Sequence, residues 1–219
     1  RAGRARRLGV LVVRIGTRIS PTAGRPRIAP RMLLCAASTG GPQALAKLFN
    51  SLPADLSLPV LLVQHMGGAF MDGFASWLDS VVPQRVELAR AAVLPQPGTI
   101  YVAPGDRHLE LGAQRILRVL DAAPVGGQRP AATVLFRSVA RQAGASGIGV
   151  LLTGMGEDGA TGLLDMCRAG AATVAEHEST AVVYGMPAAA VRLSAAAAVL
   201  PLDRVAGHLL RLAAPETAP

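Results

Sequence analysis

Aromatic side chains are scarce: the 219 residues include one Trp, two Tyr and four Phe. About half of the chain is apolar, so its core must be built from Ala, Val and Leu. Cysteine is nearly absent. Cys35 and Cys167 sit in apolar contexts without metal-type spacing, and they read as reduced, buried thiols of a cytoplasmic protein. No apolar run approaches the ~20 residues of a membrane span. The N-terminus lacks the long apolar region and cleavage site of a secretory signal. Neither GxxxxGK[ST] nor GxGxxG occurs, so two nucleotide-binding signatures are missing. GxSxG is missing too, and with it the nucleophile elbow of the α/β-hydrolases.

Acid is absent from one whole stretch. Residues 1–31 carry nine Arg and no Asp or Glu. The net charge of +8 comes from 22 basic and 14 acidic residues. Setting those nine aside leaves 13 bases against 14 acids, a net of −1. The part that folds is therefore close to neutral, which argues against a nucleic-acid surface as its defining property. Pro21, Pro26 and Pro30 interrupt regular structure, so residues 1–31 read as a disordered basic tail or linker. Leu8 to Ile15 is its one strand-like stretch.

From Met32 onward the pattern is apolar run, turn, helix. The runs are Met32 to Ala37, Val60 to Val63, Ile148 to Leu152 and Ala172 to Ala175. Helices are expected over Pro42 to Asn50, Phe70 to Asp79, Ala131 to Gln142, Ala160 to Ala169 and Asp203 to Leu212. Unbroken apolar runs mark strands buried on both faces. Between them, Val86 to Ala92, Thr99 to Ala103, His108 to Leu111 and Ile116 to Leu120 read as short strands of an antiparallel hairpin region, with Pro104-Gly105-Asp106 as a turn. The expected fold class is α/β: a doubly wound, mostly parallel sheet with flanking helices and an added antiparallel hairpin region. The domain spans residues 32–212, and 213–219 form a C-terminal tail.

The chemistry lies where the runs end. The first stops at Ser38, the second at Gln64-His65, and the third in a glycine-rich loop holding Glu157 and Asp158. Ligands of an open parallel sheet bind at the carboxyl ends of its strands. A hydroxyl, an imidazole and a carboxylate on one rim form the set for nucleophilic acyl chemistry: nucleophile, general base, and the acid that orients the base. Each has a plainer reading alone. Ser38 and Asp158 suit helix N-caps, and His65 suits a core position. Glu157 competes with Asp158, which is favoured for its short side chain next to Gly159. Thr39-Gly40-Gly41 and Gly154-Met155-Gly156 offer backbone N–H donors for an oxyanion. His108 reads as structural. His177, between two glutamates, is a poor metal site because consecutive residues rarely converge on one ion. Cys35 lies inside its run and is not a nucleophile. The chain order Ser, His, Asp differs from the Ser, Asp, His of α/β-hydrolases.

Six segments in order, "ASTGGPQAL" (37–45), "QHM" (64–66), "YVAPGDRHLEL" (101–111), "RPAATVLFRSVA" (129–140), "LLTGMGEDGATGL" (151–163) and "GMPAAAV" (185–191), resemble the catalytic domain of the chemotaxis protein-glutamate methylesterases, the CheB family. The resemblance covers roughly residues 32–212. It implies hydrolysis of γ-glutamyl methyl esters on chemoreceptor signalling helices, and deamidation of receptor glutamines. It carries the family's catalytic serine, histidine and aspartate onto Ser38, His65 and Asp158. Thr39, Gly40 and Met155 fall at substrate and oxyanion positions. Neither a metal nor an organic cofactor is implied. Expected partners are the receptor helices and, in the full system, a receiver domain or histidine kinase, with no nucleic acid and no membrane insertion. Two features depart from the family. Ala36 stands where glycine is usual, and Gly67-Gly68 replace the prolines after "QHM", which predicts a more mobile loop. Residues 1–31 cannot be the usual receiver domain, so the chain reads as an excised catalytic domain or a receiver-less variant. Two rival readings are a phosphate- or nucleotide-binding α/β module using the Ser38 turn, and a nucleic-acid binder led by the Arg-rich tail.

Overall fold

The computed structural model describes residues 31–90 and 92–214. The basic stretch 1–30, with Leu8 to Ile15, and residues 215–219 of the expected C-terminal tail lie outside the described residues. Seven strands form one sheet: β1 (Met32–Ala37), β2 (Val60–Gln64), β3 (Arg85–Leu88), β4 (Thr99–Val102), β7 (Gly147–Leu151), β8 (Ala172–Glu176) and β9 (Ala198–Leu200). Between β4 and β7, β5 (His108–Leu111) and β6 (Leu117–Leu120) pair as a separate antiparallel hairpin. Six α-helices lie among the described residues: α1 (Gly41–Asn50), α2 (Met71–Val81), α3 (Ala132–Gln142), α4 (Ala160–Arg168), α5 (Met186–Arg192) and α6 (Leu202–Ala213).

The sheet order is β3-β4-β2-β1-β7-β8-β9, and every pairing is parallel. The hairpin region is thus smaller than the sequence suggests. β3 and β4 belong to the parallel sheet, and only β5 and β6 run antiparallel. Parallel neighbours usually need a helical crossover. The link from β3 to β4 is short and has no helix among its described residues, so it mimics a hairpin in sequence.

Side chains alternate faces along a strand, and β1 divides the core accordingly. Leu33, Cys35 and Ala37 pack with α1, α2 and α6. Met32, Leu34 and Ala36 pack with α3, α4, α5 and the hairpin. All six are at most 2 % exposed, which is why the run contains no polar residue. The chain leaves the central β1 first toward β2, then later returns to its other side as β7. That reversal opens a crevice at the carboxyl ends of β1 and β7, where such sheets place their sites.

Candidate active site

Ser38 is the first residue past β1. Its N–H donates to the carbonyl of Thr153, just past β7, at 3.0 Å. It caps no helix: α1 is preceded by Gly40, whose φ of 79° is left-handed backbone that favours glycine. Pro42 occupies the first turn of α1, where its missing N–H is not needed. A Cβ at Gly154 would sit 2.8 Å from the Ser38 Cβ, so glycine there lets the second loop close against the serine.

His65 follows β2, and β1 and β2 are in register with Ala37 beside Gln64. Its N–H donates to the Ala37 carbonyl at 3.0 Å. Its ring Nε2 lies 2.8 Å from Asp158 Oδ2, and both side chains are only 7 % exposed. An ionised carboxylate only accepts, so Nε2 carries the proton and Nδ1 keeps its lone pair. Nδ1 is buried without a partner among the described residues. The Ser38 hydroxyl makes no hydrogen bond among the described residues either.

Asp158 does more than hold the ring. Its Oδ2 also accepts from the Ala132 N–H at 2.6 Å, and its Oδ1 from the Thr133 N–H at 3.0 Å. It therefore caps α3 from another part of the chain, rather than α4, which follows it. Burial alone would raise its pKa. Hydrogen bonds from His65 and Thr133 outweigh burial and hold the carboxyl below its ordinary value. Glu157, the rival carboxylate, instead points outward and pairs with Arg192 at 2.6 Å.

The glycine turns supply donors. The Gly41 and Gly154 N–H groups are spent on Ser38 O and Val183 O. Those of Thr39, Gly40 and Met155 donate to nothing among the described residues. Around this rim stand three exposed apolar side chains, Phe70 (69 %), Met155 (70 %) and Val182 (69 %). A Cβ at Gly40 would strike Val182, and one at Gly67 would touch Phe70, so two of the three overhang the loops that carry Ser38 and His65.

The remaining sequence candidates lie apart. His108 is buried, with Nε2 on the Ala123 carbonyl and Nδ1 accepting from the Ala131 N–H. His177 is half-buried and bonds Ser179. Cys35 is fully buried, and burial pushes its thiol far above the ordinary range. Among the described residues, no three His, Cys, Asp or Glu side chains group as a metal site. No helix there is long and apolar enough to cross a membrane.

Three supporting residues were not assigned from sequence. Gln64, 1 % exposed, bonds the carbonyls of Ser38 and His65. Thr153 donates its hydroxyl to Thr39 O at 2.9 Å and accepts from the Val183 N–H at 2.9 Å. Glu176 is fully buried and accepts from the Thr153 N–H at 2.8 Å. The signal available for Gln64 and Glu176 was a polar residue closing an apolar run.

The family model of the CheB methylesterases matches residues 33–209. The protein-glutamate methylesterase/protein-glutamine glutaminase 2 of Paramagnetospirillum magneticum is 50 % identical over 177 residues, 81 % of this chain and 50 % of that protein. A protein of the same description from Anaeromyxobacter dehalogenans, numbered 3, is 47 % identical over 193 residues, 87 % of this chain and 56 % of that one. The chain spans about half the length of these relatives. The crystal structure of the Thermotoga maritima CheB methylesterase catalytic domain superposes with a TM-score of 0.81 at 32 % identity, covering 84 % of this chain and all of that one.

Proposed function

The chain belongs to the CheB methylesterase family, and on that footing we propose that it hydrolyses γ-glutamyl methyl esters of chemoreceptor signalling helices and deamidates receptor glutamines. The observation that carries this reading is the 2.8 Å bond between His65 Nε2 and Asp158 Oδ2 on the rim where Ser38 emerges. Residues 32–212 are the catalytic domain in this reading, and it works in the cytoplasm. A phosphate-binding module would leave that buried hydrogen bond without a task.

In the proposed reaction the Ser38 oxygen attacks the ester carbonyl, and Nδ1 of His65 takes its proton. Asp158 keeps the ring in the tautomer with Nδ1 free and stabilises the imidazolium. The free N–H groups of Thr39, Gly40 and Met155 are the donors for the oxyanion. Collapse transfers the proton from His65 to the methoxy oxygen, and methanol leaves a glutamyl-Ser38 ester. Water, losing a proton to His65, attacks that ester. The proton then returns to Ser38 as glutamate departs. With glutamine the first leaving group is ammonia. The apolar collar of Phe70, Met155 and Val182 suits a neutral ester presented on a helix surface.

The test is methanol release from methyl-labelled chemoreceptor membranes, with the wild type beside Ser38→Ala. Release by the wild type alone is expected. Equal release by Ser38→Ala would overturn the nucleophile, and none from either would overturn the substrate.

A further inference from the structure

We propose that Gln64 is a positioning residue for the reaction, the side chain that sets the serine and the histidine at their working separation. The inference rests on the reading of Ser38 as nucleophile and His65 as base. Gln64 ends β2 and is 1 % exposed. Its one amide nitrogen donates to the carbonyl of Ser38 at 3.0 Å and to the carbonyl of His65 at 3.0 Å. Both of its N–H bonds are therefore spent on the two residues that must meet, one on each of two adjacent strand ends.

This is an unusual use of a core position. Val60 and Leu62 of the same strand lie in the apolar layer under α1 and α2, and alternation turns Gln64 toward the same side. A hydrocarbon would fill that place without polar cost. Instead the amide is buried and its Oε1 has no partner among the described residues, which is a penalty the fold does not need for packing. Room is also reserved for it. A Cβ at Gly41 would collide with Gln64 Oε1, so glycine at the start of α1 allows the amide beneath the serine turn. The amide's orientation follows from its neighbours, because two carbonyl oxygens call for the donor end.

The clamp ties together segments that are otherwise weakly joined at this point. The Ser38 carbonyl has one further bond, from the Gly41 N–H at 2.8 Å within its own turn. The His65 carbonyl has no other partner among the described residues. Without the amide, Ser38 and His65 are held by their own strands but not to each other through these carbonyls. A shift of about 1 Å between reacting groups is enough to cost roughly 100-fold in rate.

The experiment uses two isosteric variants, Gln64→Met and Gln64→Glu. Neither offers an N–H donor at neutral pH. Methionine removes the orphaned acceptor but leaves the His65 carbonyl without its donor, so its stability should stay near that of the wild type, whereas an ionised glutamate facing two carbonyls should lower it much further. Each folded variant is assayed for kcat and KM on methylated receptor and for the rate of Ser38 labelling by a fluorophosphonate without receptor. Both should lose about 10- to 100-fold in kcat and labelling rate with KM within about twofold, although their stabilities differ. Wild-type labelling and rates in folded Gln64→Met would overturn the inference and leave the proposed function intact. A rise in KM with kcat kept would also overturn it, as would loss of the fold in both variants, which would make the amide structural. A wild type that labels at Ser38 but releases no methanol would overturn the substrate reading alone, with labelling still deciding the role of Gln64. A wild type that does neither would overturn both.

Discussion

His65 and Asp158, 93 positions apart, share a 2.8 Å hydrogen bond, and the same aspartate oxygen caps α3 through the Ala132 N–H. One carboxylate thus holds the imidazole ring and a helix end together. The N-terminus of α3 favours negative charge, so the structure that orients the ring also keeps the acid ionised.

Asp158→Asn should separate these two roles. Activity should fall by roughly 10⁴-fold, the loss seen when an amide replaces a triad carboxylate. Stability should drop by about 1–3 kcal/mol at neutral pH, since charge-assisted bonds are lost. The folded pKa of Asp158 lies below its ordinary value. Its contribution is therefore present above that value and vanishes as pH falls through the lower folded value. Melting curves from neutral pH into acid should converge for the two proteins. Parallel curves would show that Asp158 is not the group responsible.

Glu176 has the opposite sign. Burial pushes its carboxyl above the ordinary value, against the opposing pull of the Thr153 N–H, Thr180 and Lys47. The ionised form is thus disfavoured in the fold, and its cost appears as pH rises from the ordinary value through the folded one. Glu176→Gln keeps an oxygen for the Thr153 N–H. It should melt higher than wild type at neutral pH, by roughly 2–4 °C per kcal/mol recovered. The gap should close below about pH 4.5, the ordinary carboxyl value. A variant that melts lower at neutral pH would contradict this.

Gly67 has φ −59° and ψ 139°, values a proline adopts, and its N–H makes no bond among the described residues. Gly67→Pro should therefore stabilise the protein by about 0.4–1 kcal/mol, by restricting the unfolded chain. Urea unfolding measures it, and a lower midpoint would count against the loop geometry.

Phe70 overhangs the His65 loop and is 69 % exposed. If the collar receives a receptor helix, Phe70→Ser should raise KM for receptor about 5- to 30-fold, the equivalent of roughly 1–2 kcal/mol of apolar contact. Hydrolysis of a small soluble ester should stay at the wild-type rate. An unchanged KM for receptor would place the docking surface elsewhere.

The sequence by itself determined the parallel sheet, its flanking helices and the three strand ends that carry Ser38, His65 and Asp158. Strands buried on both faces must be continuous apolar runs, so the residue that closes each run stands out. Three things were decided only by tertiary structure. The sequence does not mark β3 and β4 as parallel, because their short link lacks the helix that usually announces a crossover. The partner that Asp158 caps is α3, which precedes it in the chain, whereas local spacing points to α4. The reach of Gln64 to both Ser38 and His65 depends on the register of β1 against β2 and on the space left at Gly41. Periodicity reports burial along one element. Contacts between elements exist only once the chain has closed on itself.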